Sequence, residues 1–576
     1  MTTKSLLLGA TASLAASLAF VPMAFADGHA GDRGRDGDVK IIYWQAPSIM
    51  NPFLSGGTKD VEAASLVLEP LGRYNEVGTL IPWLAEEIPT IDNGGISEDR
   101  TQITWKIAPG IKWSDGSDFT SADVKFTWEY CTDPEGGCAQ LTKFEGVTAV
   151  DTPDPLTVVV TFGQATPNPY GPFVGGESPI LQAAQFASCT GAAASSCTEQ
   201  NFNPIGTGPF TVTDFKPNDV ITFAANESFR TAGKPAFASV TFKGGGDATA
   251  SGRAVMETGE FDYGWNLQLA PDVIAQMEQG GKGKTIANFG PLVERIMLNQ
   301  TNPSSDLPEG ERSTTAHPHP FLKEPAVYQA MSMAIDRPLL VEVGYGPAGK
   351  VTCNWVPAPE IFNSTSMTCD TQDIAGANAL LDEAGFVDSD GDGVREANGV
   401  PMKILYQTST NAVRQDFQAL IKQWWSEIGI EAELRNINAS VFFGGDAGSP
   451  DTFQKFYADV EMYANTFNGT DPQAYLGNGL CNQIPRPETQ WQGENISRFC
   501  MPEYDALHAK LQNTEALEER AEIGKQLNDM YVQNGGMIPL VQRGRVSAHA
   551  NDLGGVVLNV WDSELWNVAD WYRIAE

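Results

Sequence analysis

Positively charged residues are scarce in this sequence. It contains 37 lysines and arginines against 72 aspartates and glutamates, which gives a formal net charge of -35 at pH 7. No stretch forms a basic tract that could follow a phosphate backbone, and both nucleic acids and anionic membranes attract basic surfaces. The composition therefore argues against a nucleic acid or an anionic membrane surface as a partner.

Histidine is also rare, and the common hydrolase motifs are missing. The chain has five histidines and contains neither G-x-S-x-G nor H-E-x-x-H. These motifs position a serine nucleophile or a catalytic zinc ion. An exported hydrolase stays open as an alternative only because scattered carboxylates can form an acid/base pair, and their arrangement here is not distinctive. We therefore predict a protein that is not an enzyme.

The cysteines lack the C-x-x-C spacing that is typical of a zinc site. They instead fall into four close pairs along the chain, and proximity in sequence favours local pairing over the other connectivities. Disulfides persist in oxidising compartments such as the periplasm. We predict four local disulfides: Cys131 with Cys138, Cys189 with Cys197, Cys353 with Cys369, and Cys481 with Cys500.

The N-terminus has the pattern of a secretory signal peptide. Lys4 precedes an apolar run from Leu6 to Phe20, and Ala24-Phe25-Ala26 forms an A-x-A cleavage site before Asp27. No cysteine lies near this site, so a lipid anchor is not indicated. We expect residues 1–26 to be removed and the mature protein to be soluble and periplasmic.

The stretch 101–130 changes from a strand pattern to a helix pattern. Apolar and polar residues alternate over 103–107, which predicts a strand with one buried face. A second short strand is predicted at 111–113, before a turn. Thr120 and Asp123 have the spacing of a capping box, and apolar residues then recur at helical intervals. The stretch is therefore predicted to fold as strand, strand, turn and capped helix.

This stretch, with WSDG at 113–116 before TSADVKFTWE at 120–129, resembles the signature of the family 5 substrate-binding proteins of bacterial ABC importers. Further landmarks of that family follow the same order: PWLAEEI at 82–88, GTGPF at 206–210, ETGEFD at 257–262, VYQAMSMAIDRPLL at 327–340, ALLDEAGFVDSDGDGVRE at 379–396, and IGIEAEL at 428–434. The resemblance covers nearly the whole mature chain.

The resemblance implies an α/β fold: a two-lobed periplasmic binding protein of class II type, or Venus flytrap, with an extra domain inserted in the first lobe. Lobe one is expected to comprise 27–75, 201–290 and 545–576. The inserted small domain is expected at 76–200, and lobe two at 291–544. The ligand would lie between the lobes.

The resemblance also implies which residues face the ligand. Trp44 and Phe53 lie on or after the opening strand, Trp265 and Asn266 end a later strand, and the segment YANTFNGTDP contains Tyr463, Asn465, Asn468 and Asp471. In peptide-binding relatives, an aspartate three residues before the Asp-Pro or Glu-Pro pair holds the ligand's α-ammonium. Asparagine occupies that position in this chain, at 468. Asp471, Glu461 and Asp459 are the candidate substitutes.

We therefore expect a monomer that captures a peptide-like ligand and delivers it to an ABC permease in the inner membrane. A neutral oligosaccharide or another small solute is the alternative, because Asn468 is uncharged and the chain has 13 tryptophans. In that case Trp44, Trp265 and Trp355 are the candidates for stacking against sugar rings. A receptor or chaperone-like role outside transport stays open.

One acidic loop has two interpretations. Five of its residues match positions 1, 3, 5, 6 and 9 of a calcium-loop template: Asp388, Asp390, Asp392, Gly393 and Glu396. Position 12 is Gly399, where the template has a bidentate glutamate, and a strand pattern follows instead of a helix. The loop is either a structural calcium site at Asp388, Asp390 and Asp392, or an acidic β-turn without metal. No other cofactor is expected.

Overall fold

The computed structural model describes residues 32–575, so the predicted signal peptide lies outside the described residues. Its strands, in chain order, are β1 (Asp38–Tyr43), β2 (Gly72–Tyr74), β3 (Leu80–Pro82), β4 (Gln102–Lys106), β5 (Val147–Asp154), β6 (Thr157–Phe162), β7 (Phe210–Lys216), β8 (Val220–Ala225), β9 (Ser239–Gly244), β10 (Tyr263–Trp265), β11 (Gly283–Asn288), β12 (Val293–Leu298), β13 (Gly349–Val351), β14 (Glu396–Ala397), β15 (Val400–Pro401), β16 (Lys403–Ser409), β17 (Glu431–Ile437), β18 (Val460–Asn465), β19 (Met537–Arg543), β20 (Arg545–Ala550), β21 (Leu553–Gly554) and β22 (Tyr572–Arg573).

The helices, in chain order, are α1 (Thr58–Ala64), α2 (Ser121–Thr132), α3 (Ala183–Phe186), α4 (Thr198–Phe202), α5 (Ala248–Met256), α6 (Pro271–Glu278), α7 (Pro325–Met333), α8 (Arg337–Gly344), α9 (Ile374–Glu383), α10 (Ala412–Ser426), α11 (Ala439–Phe442), α12 (Gln473–Gly477), α13 (Pro502–Gln512) and α14 (Leu517–Gln533). None of the helices within residues 32–575 is long and apolar enough to cross a membrane.

Two mixed sheets form the cores of two lobes. The sheet of lobe one has the order β11-β20-β10-β1-β9-β8-β7, and the sheet of lobe two has the order β13-β19-β12-β18-β16-β17. β1 lies between two parallel neighbours, β9 and β10. Val39, Ile41 and Tyr43 on one face of β1 are fully buried, and Ile42 on the opposite face is also buried. Helices pack against each sheet, so the fold is the two-lobed α/β architecture that the sequence predicts.

A smaller antiparallel sheet, in the order β4-β6-β5, lies in the chain between α1 and β7. Helix α2 packs on this sheet and begins with the predicted capping box, in which Asp123 Oδ2 accepts a hydrogen bond from the backbone N–H of Thr120 at 2.9 Å. The predicted strand at 111–113 does not form. Only an isolated antiparallel bridge forms there, between Lys112 and Asp118, and the backbone N–H of Trp113 donates to Ser117 O at 3.0 Å across the turn.

The lobes are joined where the chain leaves one sheet for the other. Residues 289–292 connect β11 to β12, and Gly544 alone connects β19 to β20. The two crossovers lie side by side, since Asn288 pairs with Arg545 in lobe one and Val293 pairs with Gln542 in lobe two. We call these two crossovers the hinge.

All four predicted disulfides are present, and residues 32–575 contain no free cysteine. The Cα atoms of the paired cysteines are 5.1, 5.8, 5.7 and 4.7 Å apart, in chain order, which suits a disulfide bond. The first two disulfides lie in the segment that carries the small sheet, and the last two lie in lobe two.

The disulfides differ in the length of chain that they close. We expect replacement of Cys481 and Cys500 by serine, a pair separated by 19 residues, to lower the free energy of unfolding by about 3 kcal/mol. The same change at Cys131 and Cys138, separated by 7 residues, is the matched control. It should lower the free energy of unfolding by about 2 kcal/mol, because a disulfide that closes a shorter loop restricts the unfolded chain less. Chemical denaturation measures both. A larger loss from the shorter loop would contradict this expectation.

Candidate ligand-binding cleft

Two adjoining cavities lie between the lobes. The first is lined by the hinge residues Leu292, Arg543 and Arg545, and we call it the hinge-side cavity. The second is lined by residues of the 76–200 segment, among them Lys143 and Glu177, and we call it the insert-side cavity. Their volumes are about 610 and 670 Å³, and these values include the space that is open to solvent. They form one cleft because they share five residues: Gly56, Thr58, Asn465, Thr466 and Arg545.

Two arginines in the hinge-side cavity share one carboxylate. Glu294 is fully buried on β12. Its Oε1 accepts from Arg414 Nε at 2.7 Å, and its Oε2 lies 3.6 Å from Arg543 Nε. Burial raises the pKa of Glu294, but the charges of Arg414 and Arg543 outweigh that effect and hold the pKa below its usual value. The cluster therefore carries two positive charges against one negative charge.

Arg543 is fixed by a residue with an unusual backbone conformation. Its Nη1 donates to Asn266 Oδ1 at 2.9 Å, and Asn266 has φ +54°, in the left-handed region that few non-glycine residues adopt. The carbonyl of Asn266 accepts from Trp44 Nε1 at 2.8 Å. Arg543 Nε is buried and has no hydrogen-bond partner among residues 32–575. One nitrogen of a fixed guanidinium therefore has an ionic contact with Glu294 but no hydrogen bond.

A carboxylate in the insert-side cavity has no partner either. Oε1 of Glu494 is buried without a hydrogen bond in the part of the chain that the structure describes. Burial, and then the neighbouring charge of Glu177, raises the pKa of Glu494 to about 8, and the charge of Arg295 offsets only part of this effect. Gly56 of lobe one faces it: a Cβ at that position would lie 2.8 Å from Glu494 Oε1. Gly56 itself therefore presents no side chain to this carboxyl group.

The lobe-one wall carries two further buried acids. Glu62 Oε2 accepts from Ser563 Oγ at 2.5 Å, and Glu62 Oε1 lies 3.6 Å from Arg545 Nη1. Burial and then the neighbouring charge of Glu564 raise the pKa of Glu62 to about 8. Glu564 Oε2 accepts from the hydroxyls of Tyr263 at 2.7 Å and Ser547 at 2.6 Å. The positive charge of Arg545 offsets part of the rise in the pKa of Glu62.

Five of the residues predicted from the sequence line the cleft: Trp265, Asn266, Tyr463, Asn465 and Asn468. The ring of Trp265 stacks on that of Tyr43 with centroids 4.5 Å apart, which fixes its orientation. Tyr463 and Asn465 belong to β18, whose end reaches the cleft. These five side chains bring together aromatic rings and amide groups, which are suited to contacts with a polar organic solute.

Four other predicted residues do not line either cavity, which corrects the sequence-based placement. Trp44 lies behind Asn266, to whose carbonyl it donates. Phe53 is fully buried against aromatic rings of the inserted segment, and Trp355 is buried against Tyr475 and Tyr531. Asp471 Oδ2 accepts from Arg520 Nη2 at 2.7 Å, so its charge is already paired. Apolar packing and an internal ion pair hold these side chains away from the cleft.

Sequence reasoning missed Glu294 and the charged residues that line the cleft, which are Glu62, Lys143, Glu177, Arg414, Glu494, Arg543, Arg545 and Glu564. One signal was available. Glu294 lies in the apolar run VERIML, and Arg543 and Arg545 flank a glycine in LVQRGRV. A charged residue inside a buried strand pattern is rare without a partner, and it indicates a functional or paired charge.

The acidic loop between α9 and β14 brings its carboxylates together. Oxygen atoms of Asp388, Asp390, Asp392 and Glu396 lie within 4.8 Å of one another, and the three aspartates are exposed. Both carboxylate oxygens of Asp388 accept backbone N–H groups, from Gly391 at 2.6 Å and Gly393 at 2.9 Å. Turn hydrogen bonds therefore account for the loop shape with or without an ion, and calcium binding there stays a prediction.

The raised pKa of Glu494 makes stability depend on pH. Between its usual value of 4.5 and about 8, the folded protein holds a proton that the unfolded chain has lost, so the free energy of unfolding falls as pH rises. We expect ligand-free Glu494→Gln to lose less stability than the parent from pH 5 to pH 8, by a difference on the order of a few kcal/mol.

Denaturant titrations at pH 5 and pH 8 measure this difference. Glu488→Gln, which changes an exposed residue of the same loop, is the matched control and should follow the parent. Equal pH dependence in Glu494→Gln and the parent would contradict the assignment of a proton to this buried carboxyl group.

Comparisons with known proteins agree with this geometry. The sequence model of the bacterial extracellular solute-binding proteins, family 5, matches residues 79–484. The glutathione-binding protein GsiB of Escherichia coli O1:K1 is 24% identical over 462 residues, which cover 80% of this chain and 81% of that protein.

Solved structures show the same fold. The oligopeptide-binding protein AppA of Bacillus subtilis, in complex with a nonapeptide, has a TM-score of 0.79 at 19% identity, over 95% of this chain and all of that one. NikZ of Campylobacter jejuni, in complex with Ni(L-His), has a TM-score of 0.76 at 21% identity, over 94% of this chain and all of that one. The family match spans most of the chain, so this protein belongs to the family 5 bacterial extracellular solute-binding proteins.

Proposed function

We propose that this protein captures a peptide-like ligand in the cleft between its lobes and delivers it to an ABC permease in the inner membrane. The observation that carries the proposal is the cleft itself, which joins aromatic and amide side chains to charges of both signs. A peptide offers amide groups and charged ends to such a lining. GsiB is named for glutathione, and AppA was solved with a nonapeptide, which supports the same class of ligand.

The hinge supports a mechanism of capture by closure. Only short connections, 289–292 and Gly544, join the two sheets within residues 32–575, so a few backbone torsions can change the angle between the lobes. A ligand that contacts both walls stabilises the closed form because it binds that form better than the open one. The permease would then recognise the closed arrangement. We propose that residues 1–26 direct export to the periplasm and that the protein acts as a monomer.

A neutral oligosaccharide fits the cleft less well. Among the three tryptophans considered for stacking against sugar rings, only Trp265 lines the cleft, while Trp44 and Trp355 are packed elsewhere. A neutral ligand without a hydrogen-bond acceptor would also leave the buried Nε of Arg543 without a hydrogen bond after closure, which costs free energy. The ligand-contact roles of Trp265, Asn266, Tyr463, Asn465 and Asn468 belong to this proposal.

Native mass spectrometry of the mature protein, purified from its periplasm, tests the proposal. We expect the released ligands to have peptide masses. Trp265→Ala should retain about tenfold less ligand, because an aromatic face is lost from the cleft. Trp355→Ala is the matched control: it should lower the free energy of unfolding by about 3–5 kcal/mol and still retain ligand when folded.

A single neutral mass with hexose increments would overturn the peptide proposal. Equal retention of ligand by folded Trp265→Ala and the parent would overturn the role of Trp265 but leave the ligand class intact.

A further inference from the structure

Three of the four disulfide-closed loops meet where the segment 76–200, which we call the insert, contacts lobe two. Two of these loops belong to the insert and span 131–138 and 189–197, and the third belongs to lobe two and spans 481–500. A disulfide restricts its loop whether the lobes are open or closed. The three loops therefore lose little conformational entropy when they come into contact.

Gln490 of the lobe-two loop bridges both loops of the insert. Its Nε2 donates to the carbonyl of Glu135 at 3.2 Å, and its Oε1 accepts from Ser195 Oγ at 3.1 Å. Both ends of one side-chain amide group are therefore used across the interface. The two backbones also approach each other closely there, because a Cβ at Gly137 would lie 3.2 Å from Thr489 O.

The backbone that carries this amide group is strained. Gln490 and Trp491 have φ +54° and φ +62°, in the left-handed region that few non-glycine residues adopt. The ring of Trp491 is buried and lies edge-on to the ring of Tyr457, with centroids 5.9 Å apart. The backbone N–H of Gln490 donates to Pro487 O at 3.0 Å. Strained backbone of this kind is concentrated at ligand clamps and switch regions, and here it holds the Gln490 amide group against the insert.

The insert is joined to lobe one by a hydrophobic core, but its contacts with lobe two are polar. Phe53 of lobe one belongs to the same buried cluster as Trp105 of the insert, and no lobe-two residue within 32–575 belongs to that cluster. A second contact with lobe two is an ion pair, in which Arg100 Nη1 lies 2.6 Å from Glu515 Oε2. The insert therefore moves with lobe one, and its contact with lobe two can separate without opening this core.

The loop contact exists only while the lobes are closed, because Gln490 belongs to lobe two and its partners move with lobe one. We propose that the three loops form a latch, in which Gln490 holds the closed lobes together and slows release of the captured ligand. Gln490 lines neither cavity, so it acts on closure and not through contact with the ligand. This inference rests on the proposed capture by closure and adds the contact that sets the lifetime of the closed form. Such a contact changes the rate of release and not the rate of capture.

Rates of release test the latch, with a pool of short peptides of random sequence as the probe. Ligand-free protein is loaded with the pool and freed of unbound peptide, and native mass spectrometry follows the bound fraction with time. We expect Gln490→Ala to release the peptides about fivefold faster than the parent and to bind them at the same rate, because two hydrogen bonds made only in the closed form are lost. Gln423→Ala changes an exposed glutamine of α10, so it is the matched control and should behave as the parent.

Gly137→Ala tests the close approach of the two backbones. The added methyl group would lie 3.2 Å from Thr489 O, and φ +64° is unfavourable for alanine. Gly110→Ala is the matched control, because Gly110 also lies in the insert with φ +82° but a Cβ there would have no neighbour within 4 Å. We expect both variants to lose similar stability and only Gly137→Ala to release peptides faster, again about fivefold.

The outcomes separate the latch from the proposed function. Release at the parent's rate from folded Gln490→Ala and Gly137→Ala would overturn the latch and leave peptide capture standing. A change in the rate of capture as large as the change in the rate of release would also overturn it, because the loop contact would then form before closure. Circular dichroism and the thermal midpoint establish that each variant is folded.

A parent protein that binds no peptide of the pool would contradict the proposed function, and amide hydrogen exchange then decides on the latch. Exchange in the insert loops 131–138 and 189–197 should be faster in Gln490→Ala than in Gln423→Ala, because only the first substitution removes contacts to these loops. Equal exchange in the two variants would overturn the latch.

Discussion

Glu294 is the buried acid on which the arrangement of the cleft depends. It lies near the start of β12, just after the first crossover, and it contacts Arg543 at the end of β19, just before the second. Its Oε2 also accepts from Tyr345 at 2.9 Å and from Gln268 of lobe one at 3.3 Å. One carboxylate thus connects both strands at the hinge, a helix of lobe two and a segment of lobe one.

This arrangement explains why the hinge-side cavity keeps a positive charge. A single buried acid cannot neutralise two arginines, and removal of either partner from a buried ion pair is costly. Asn266 fixes Arg543 through a hydrogen bond and is itself held by Trp44, so the guanidinium cannot turn away to water.

Local sequence patterns predicted the local structure well. The alternation at 103–107, the capping box of Thr120 and Asp123, and the four close cysteine pairs all correspond to features of the fold. These features depend on neighbours in sequence. The predicted strand at 111–113 is reduced to one isolated bridge, Lys112 with Asp118, because the tight turn at 114–117 leaves room for no longer ladder.

The cleft could be predicted only in part, because its lining is assembled from distant segments. An aromatic residue such as Phe53 or Trp355 has the same sequence character whether it fills a core or faces a ligand. Glu494 carries no local motif, and it lines the cleft only because a disulfide-closed loop brings it opposite Gly56, more than four hundred residues earlier in the chain. This contact depends on the packing of the lobes, and the hydrophobic periodicity of the sequence does not predict it.

A crystal structure of the protein with its natural ligand retained is the most direct test of this account. We predict that the ligand is a peptide and that it occupies both cavities, in contact with residues of both lobes. A ligand bound outside these two cavities would contradict the central claim, that the cleft between the lobes is the site of capture.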